Sequence, residues 1–330
     1  MSFKNCLITL TNDSLIEKNI ILLQNTRTMT EKNIHNVKAS TQFKRKHKAD
    51  YGKEKIEILY EDKDIIVINK PTGMLSVPYP GSKARTAQDV LEKIMRSRGT
   101  FTSGHKPFVV HRLDRDTSGV MMFALNEEVQ KKIMHTWHKM VTERIYRAVA
   151  ENPRNKNLYL EESGLIDDPL AQNSHHVGYV PKKDDKKIDT VPARTHFRTV
   201  LRGPTHTLFE LQLDTGKKNQ IRAHLASRHY PLAGDENYRA QTDPFFRLAL
   251  HARTLEFLHP VSGKKMKFEI PEPEEWMTYV ENGDSHPRTP VWNIHTNVRK
   301  PIYEDFSPKS GPTRKSLRKM DYISQGKNKR

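Results

Sequence analysis

Residues 111–119 read His111-Arg112-Leu113-Asp114-Arg115-Asp116-Thr117-Ser118-Gly119 and place two carboxylates and two arginines within five positions. A carboxylate kept ionised by a neighbouring cation can act as nucleophile or general base. Asp114 lies two residues from both Arg112 and Asp116. On an extended backbone those three side chains share one side and Arg115 points to the other. The competing reading is a surface turn in which Asp116 and Ser118 cap the chain and both arginines are solvated. A hydrolase built on Ser118 and His111 lacks the glycine-flanked nucleophile and oxyanion loop that such an enzyme needs.

A second basic segment runs Thr215-Gly216-Lys217-Lys218-Asn219-Gln220-Ile221-Arg222-Ala223-His224-Leu225. Glycine followed by lysines at a helix start offers free first-turn amides to phosphate. The spacing is not that of a P-loop, and no GxGxxG occurs, so nothing supports a nucleotide cofactor. On a helix, Arg222 lies three residues after Asn219 and three before Leu225, at the margin, from where it reaches across to an aspartate. Metal has no support either: neither His135 with His138 nor His175 with His176 is completed by a thiol or carboxylate.

The elements that must position these groups are legible as patterns. Residues 64–69 (DIIVIN) read as a buried strand ended by a Lys70-Pro71-Thr72-Gly73 turn. Residues 86–98 read as a helix with Val90, Leu91, Ile94 and Met95 on one face, stopped by Gly99. Apolar strands at 108–110 and 120–125 flank the aspartate segment, which makes it a loop on a rigid scaffold. Asn126 caps a helix with Glu127 and Glu128 in its first turn and Val129, Ile133, Trp137 and Met140 as its inward stripe. Further strands are expected near 144–149, 194–201, 208–213, 248–251, 255–258 and 266–270, with a helix over 219–227. Strands outnumber helices and several are adjacent in sequence, so the class is α+β with a mixed, mostly antiparallel sheet.

The whole chain has 330 residues, 56 Lys+Arg against 39 Asp+Glu, a net charge of +17 and a pI near 9.7. That balance favours a polyanionic partner such as nucleic acid. The charge is unevenly spread: residues 1–56 and residues 281–330 each carry 11 basic and 5 acidic side chains, leaving +5 for residues 57–280. The expected organisation is therefore a basic N-terminal extension (1–56), a central globular domain (57–280) and a basic C-terminal extension (281–330). Trp292 in the last segment suits either loose packing or stacking on RNA. The mean hydropathy of −0.77 and 35% hydrophobic residues fit a packed core with solvated flanks. The single cysteine, Cys6, excludes a disulfide framework, and no run of about 18 apolar residues forms a membrane span. A cytoplasmic protein is the expectation.

The order of these segments resembles the RluA-type RNA pseudouridine synthases over about residues 57–275. The resemblance rests on Tyr60-Glu61-Asp62 with Val67 to Gly73, on the HRLDRxTSG string of residues 111–119, and on Tyr146 after the capped helix. It continues through Thr215 to Leu225, Pro231-Leu232-Ala233-Gly234-Asp235, Leu250-His251-Ala252 and Phe257-Leu258-His259-Pro260. It implies a cofactor-free isomerisation of uridine to pseudouridine in RNA with Asp114 as the catalytic carboxylate. Attack at C1′, addition to C6 and removal of the 2′ proton all remain open to it, and each needs an ionised carboxylate held by a cation. By the same resemblance Arg222 pairs with that aspartate, and Tyr146 lines the pocket against the base. Arg112 takes the vacated place of an extruded uridine. His111, Arg115, Lys217, Lys218, Asn219 and Lys70 are expected at the RNA.

Three positions depart from the family pattern. Its TGRxHQ is here Thr215-Gly216-Lys217-Lys218-Asn219-Gln220. Lysine for arginine keeps charge but loses bidentate geometry, and asparagine for histidine removes a titratable ring. Arg144 stands where lysine is frequent. The N-terminal RNA-binding domain of many relatives has no clear counterpart in residues 1–56. Leu75-Ser76-Val77-Pro78 and the compact core resemble the branch acting on large-subunit rRNA and a tRNA anticodon loop, and a monomer is expected. From a different class comes a non-catalytic RNA chaperone or ribosome-assembly factor, which the charge alone would equally suit.

Overall fold

Continuous apolar runs such as Ile65 to Ile68 belong in a strand buried on both faces, and the architecture supplies cover on both. The computed structural model describes residues 56–79, 84–174, 176–182 and 188–285. The expectations for Cys6, His175, Trp292 and nearly all of the two basic extensions lie outside them. The strands are β1 (Glu57–Glu61), β2 (Ile65–Lys70), β3 (Phe108–Val109), β4 (Ser118–Ala124), β5 (Val141–Glu151) and β6 (Ser163–Ile166). They continue with β7 (Ala171–Gln172), β8 (Gly178–Tyr179), β9 (Thr195–Arg202), β10 (His206–Leu213), β11 (Leu250–Leu258) and β12 (Lys265–Glu269). The helices are α1 (Ala87–Ser97), α2 (Glu127–Met140), α3 (Gln220–Ser227) and α4 (Glu274–Asn282).

Ten strands form one sheet in the order β1-β2-β4-β11-β5-β10-β9-β6, with β3 on β4 and β12 on β11, while β7 and β8 pair separately. Only β4 and β11 run parallel; the other described pairs are antiparallel, as the strand-rich pattern predicts. Alternation along β2 and β4 sorts their side chains between the two faces. Ile66, Ile68, Met121 and Phe123 meet Leu91 and Met95 of α1. Ile65, Val67, Val120 and Met122 meet Val129, Ile133 and Met140 of α2. Along β5, Ala148 and Ala150 pack with Ile221 and Leu225 of α3, whereas Val149 faces Trp276 and Val280 of α4.

Local chemistry accounts for the helix starts. Thr86 and Asp89 form a reciprocal capping box on α1, and the Asn126 side chain accepts from Val129 N–H to start α2. Two expectations are revised. The strands foreseen at 248–251 and 255–258 are one strand, β11, whose register shifts between Ala252 and Thr254. Arg253 interrupts the apolar run because it leaves the core to pair with Glu269 and Glu272. The C-terminal limit also moves outward from 280, since α4 continues to Asn282 and Asp284 N–H donates to Thr205 Oγ1 at 2.8 Å.

The turn before β2 is tied to the turn after β11. Asp62 Oδ1 accepts from Asp64 and Ile65 N–H at 2.8 Å, and Oδ2 meets Tyr60 Oη at 2.8 Å and His259 Nε2 at 2.9 Å. Burial would raise this carboxyl, but those donors outweigh it and hold Asp62 below its ordinary value. Asp62, Asp64 and His259 are close enough to gather on a cation. Both Asp62 oxygens already accept protein hydrogen bonds, and His259 Nδ1 accepts from the N–H groups of Val261 and Ser262. The knot therefore explains why Tyr60-Glu61-Asp62 and His259-Pro260 occur together.

Where β4 meets β11, Gly119 opposes Ala252 with φ +115°. A Cβ there would overlap the Ala252 carbonyl, in a backbone region that side chains rarely adopt. Gly119→Ala should lower unfolding free energy by about 2 kcal/mol or more. An unchanged urea midpoint would contradict this close approach.

Candidate active site

The aspartate segment is not extended. Thr117 N–H donates to Asp114 O at 3.2 Å, so residues 114–117 form a turn, and Leu113 is buried in the core. Arg112 and Asp114 face one cleft, and the turn takes Asp116 away from it. Asp116 instead takes two bonds from its neighbour Arg115, at 3.0 and 3.1 Å, at the surface.

Three side chains from the end of β2 and the turn after it brace this loop through its carbonyls. Ser76 Oγ donates to Leu113 O at 2.7 Å and accepts from Leu113 N–H at 3.1 Å, and Thr72 Oγ1 donates to Asp116 O at 2.7 Å. Lys70 Nζ donates to Pro71 O, Met74 O and Arg115 O at 2.9, 2.7 and 3.0 Å. Lys70 is 0% exposed. Its expected place at the RNA is thus corrected: a buried ammonium needs carbonyl partners, and here they are the backbone of the site loop. The Lys70-Pro71-Thr72-Gly73 and Leu75-Ser76-Val77-Pro78 segments are scaffolding for Asp114.

Behind the loop, His111 Nε2 accepts from Met122 N–H at 3.0 Å, and its ring lies 5.0 Å from that of Trp137. Burial, aided by the Arg144 charge, pushes the imidazole down to about 3, so it is neutral at physiological pH. Ser118 is buried against His251 Nδ1 at 2.8 Å and takes a bond from Arg247 at 2.6 Å. It therefore faces His251 rather than His111. Burial likewise pushes His251 down to about 4.

Asp114, Arg112, His111, Tyr146, Lys217 and Arg222 converge on a cleft of about 400 Å³, of a size that admits a nucleoside. Asn219 lines the same cleft, Lys218 is exposed next to it in sequence, and Arg115 and Lys70 lie off it. Tyr146 comes from β5, flanked by Leu211 of β10 and Ala252 of β11. Burial pushes its phenol above the ordinary value, with Arg144 opposing and Asp114 adding to the rise. Tyr146 therefore stays protonated and offers an O–H donor. Arg144 Nη2 binds the carbonyls of Leu213 and Asp214 at 2.7 and 3.2 Å, fastening β5 to the end of β10.

Arg222 is on α3 as the helical spacing predicts, but its principal partner is Asp235. Nε and Nη2 each donate to that carboxylate at 2.7 Å, while Nη1 lies 3.6 Å from Asp114 Oδ2. Burial would lower the guanidinium, and the charges of Asp235 and Asp114 outweigh it, so Arg222 stays charged. Tyr238 lies against the guanidinium at 5.1 Å and donates its phenol proton to Gly178 O. Asp235 and Tyr238 were missed as site residues. The available signal was that a buried arginine requires a carboxylate, and Leu232-Ala233-Gly234-Asp235 supplies one. Gly234, with φ +77°, lets that turn pass against the Arg247 carbonyl.

The approach to α3 is set by Gln220. Its Oε1 accepts from Thr215 Oγ1 at 2.8 Å and Lys217 N–H at 3.0 Å, and its Nε2 donates to Arg194 O and Thr195 Oγ1, both at 2.9 Å. The Lys217 amide is thereby committed within the loop, while the Lys217 and Lys218 side chains remain exposed. Asn219, expected to touch RNA, instead donates its Nδ2 proton to Asp114 Oδ2 at 2.6 Å.

The sequence profile of the RNA pseudouridylate synthase family matches residues 64–227. An uncharacterized RNA pseudouridine synthase of Bacillus subtilis is 35% identical over 232 residues, covering 69% of this chain and 72% of that protein. The ribosomal large subunit pseudouridine synthase D of Pasteurella multocida is 32% identical over 240 residues, covering 68% and 70%. Among solved structures, human RNA pseudouridylate synthase domain containing 4 shares the fold with a TM-score of 0.54 at 21% identity, over 72% of this chain and 94% of that one.

Neutral His111 and His251 make stability depend on pH. Their folded values, about 3 and about 4, lie below the ordinary 6.5 of the unfolded chain. Between those limits the unfolded state binds more protons, so stability rises with pH and is lost on acidification. Urea unfolding should give a lower free energy at pH 5 than at pH 7. His111→Gln keeps an acceptor for Met122 N–H and should narrow that gap by about 1–2 kcal/mol. An unaltered gap would contradict a neutral His111.

Proposed function

The chain belongs to the RNA pseudouridylate synthase family, and from that premise we propose that Asp114 is the carboxylate with which it isomerises a loop uridine of large-subunit rRNA. The enzyme is an isomerase acting on RNA. The observation that carries the assignment is the environment of one side chain. Asp114 Oδ2 is bonded to Asn219 and faces the Arg222 guanidinium, in the cleft that Tyr146 also lines. Among the described residues, no hydrogen bond or ion pair reaches Oδ1. An anion oriented by fixed donors, with one oxygen uncommitted, is suited to attack or proton abstraction.

The reaction breaks the C1′–N1 bond, forms C1′–C5 and releases the C5 proton to solvent, while N1 gains one. Atoms and electrons balance without an oxidant, reductant or nucleotide cofactor. Reaching C1′ requires the uridine to leave its stack, at a cost of a few kcal/mol that is smallest in a loop. Exposed Arg112 at the cleft occupies the space left in the RNA stack. Tyr146 bounds the extruded base and donates a hydrogen bond to it, since its raised phenol does not serve as a base at neutral pH. Lys217 and Lys218 meet phosphates as point charges.

Large-subunit rRNA is favoured because the Pasteurella relative carries that target in its name. A tRNA anticodon loop offers the same kind of exposed uridine. The enzyme works in the cytoplasm as a monomer. No helix of the described residues is long and apolar enough to cross a membrane. The basic stretches 1–56 and 281–330, each with a surplus of +6, add affinity for RNA without choosing the uridine.

Purified protein should release tritium from RNA carrying 5-tritiated uridine, and Asp114→Ala should reduce release to background while retaining RNA binding. Equal release by the variant would remove Asp114 from the mechanism, and no release by wild type from any RNA would favour a chaperone. Residues 308–330 hold eight basic side chains against one acidic. Removing them should weaken binding and flatten the dependence of log Kd on log salt through fewer released counterions. An unchanged slope would deny that segment a role at the RNA.

A further inference from the structure

We propose that Asn219 is a positioning residue for the isomerisation: its carboxamide, more than Arg222, fixes the orientation of the Asp114 carboxylate. The inference rests on the reading of Asp114 as the catalytic group. Asn219 Nδ2 is 2.6 Å from Asp114 Oδ2, whereas the nearest Arg222 nitrogen is 3.6 Å away. Arg222 spends its two short bonds, each 2.7 Å, on Asp235. A contact at 3.6 Å supplies charge with little direction, while the short amide bond defines where the oxygen sits. The other oxygen then has one orientation relative to the cleft.

Backbone and side chain of Asn219 both fit this role. Its φ and ψ of 57° and 22° are left-handed, a region that asparagine visits more readily than other side chains. It occupies the N-cap of α3, where an asparagine ordinarily bonds back to the first turn, yet it makes no such cap bond. The amide is turned to Asp114 instead. Around it the loop is held by the four bonds of Gln220, and Gly178 of β8 allows close approach to the Lys218 carbonyl and the Asn219 Cβ. Asn219 is itself only 9% exposed. A side chain so placed has little surface for RNA and one obvious partner. A carboxamide does not titrate, so Asn219 keeps its donor at every pH.

The test compares Asn219→Gly, which keeps the left-handed backbone, with Asn219→Asp, which keeps the shape but replaces the donor by a carboxyl group. With wild type active on 5-tritiated RNA, Asn219→Gly should lower kcat about 10-fold or more with KM for RNA within about 2-fold. At pH 8 Asn219→Asp should be at least about 10-fold slower, because two adjacent carboxylates repel. Its rate should climb as pH falls towards 5.5, where the introduced carboxyl is protonated and donates to Asp114. Wild type should show no such rise over that range. A residue that only contacts RNA would raise KM and leave kcat alone, and a residue that only shapes the loop would show no acid recovery. Either result, or wild-type turnover by Asn219→Gly while Asp114→Ala is inactive, overturns the proposal alone. Wild-type turnover by Asp114→Ala, or an inactive wild type, overturns the reading beneath it and the proposal with it.

Discussion

A charged guanidinium nine-tenths out of water must be neutralised, and Arg222 meets that requirement with two carboxylates of unequal standing. Asp235 is fully buried and bonded at both oxygens, while Asp114 is longer-range and reaches the cleft. The buried pair holds the arginine in place, so that its positive field falls on Asp114 without relying on Asp114 for its position. Much of the surrounding structure follows from that arrangement. The Gly234 turn brings Asp235 to Arg222 of α3, Tyr238 covers the guanidinium, and the Gly178 carbonyl accepts a hydrogen bond from the Tyr238 hydroxyl. Asp114 is thus the cleft-facing end of a series of buried contacts.

The other end of the site obeys the same logic through the backbone. Lys70, Thr72 and Ser76 hold the carbonyls of residues 113, 115 and 116, and Gly119 anchors the loop's exit on Ala252. Side chains that look functional in a motif are here spent on geometry. Lys70 is the plainest example, its Nζ bound to the carbonyls of Pro71, Met74 and Arg115.

Local signals made the scaffold legible in the sequence. The capped starts of α1 and α2 and the doubly covered run of β2 depend on neighbours within a few residues, and spacing captures them. The aspartate loop was located between its two strands for the same reason. What escaped were contacts between distant segments. Nothing in the order of residues 111–119 says that Thr117 closes a turn on Asp114, or that Lys70 points inward from 45 residues away. Arg222 was expected to reach an aspartate, but spacing could not rank Asp235 above Asp114. Asn219 read as an RNA contact because its left-handed backbone is invisible in its identity. The α4 helix was overlooked since its short apolar pair, Trp276 and Val280, has meaning only against Val149 and Leu208.

Charge separates affinity from chemistry: the catalytic segment carries a surplus of +5, while the two flanks carry +6 each. On the proposed reading, uridine choice rests with the cleft and its loop, and general attraction to RNA with the extensions. The most direct test of the whole account is pseudouridine mapping across total rRNA and tRNA. The cells compared would carry the wild-type gene, no gene, or the gene with Asp114→Asn. The account predicts one or a few uridines that lose modification with the gene and are not restored by Asp114→Asn. Full restoration by that variant, or no site lost in the absence of the gene, would contradict it.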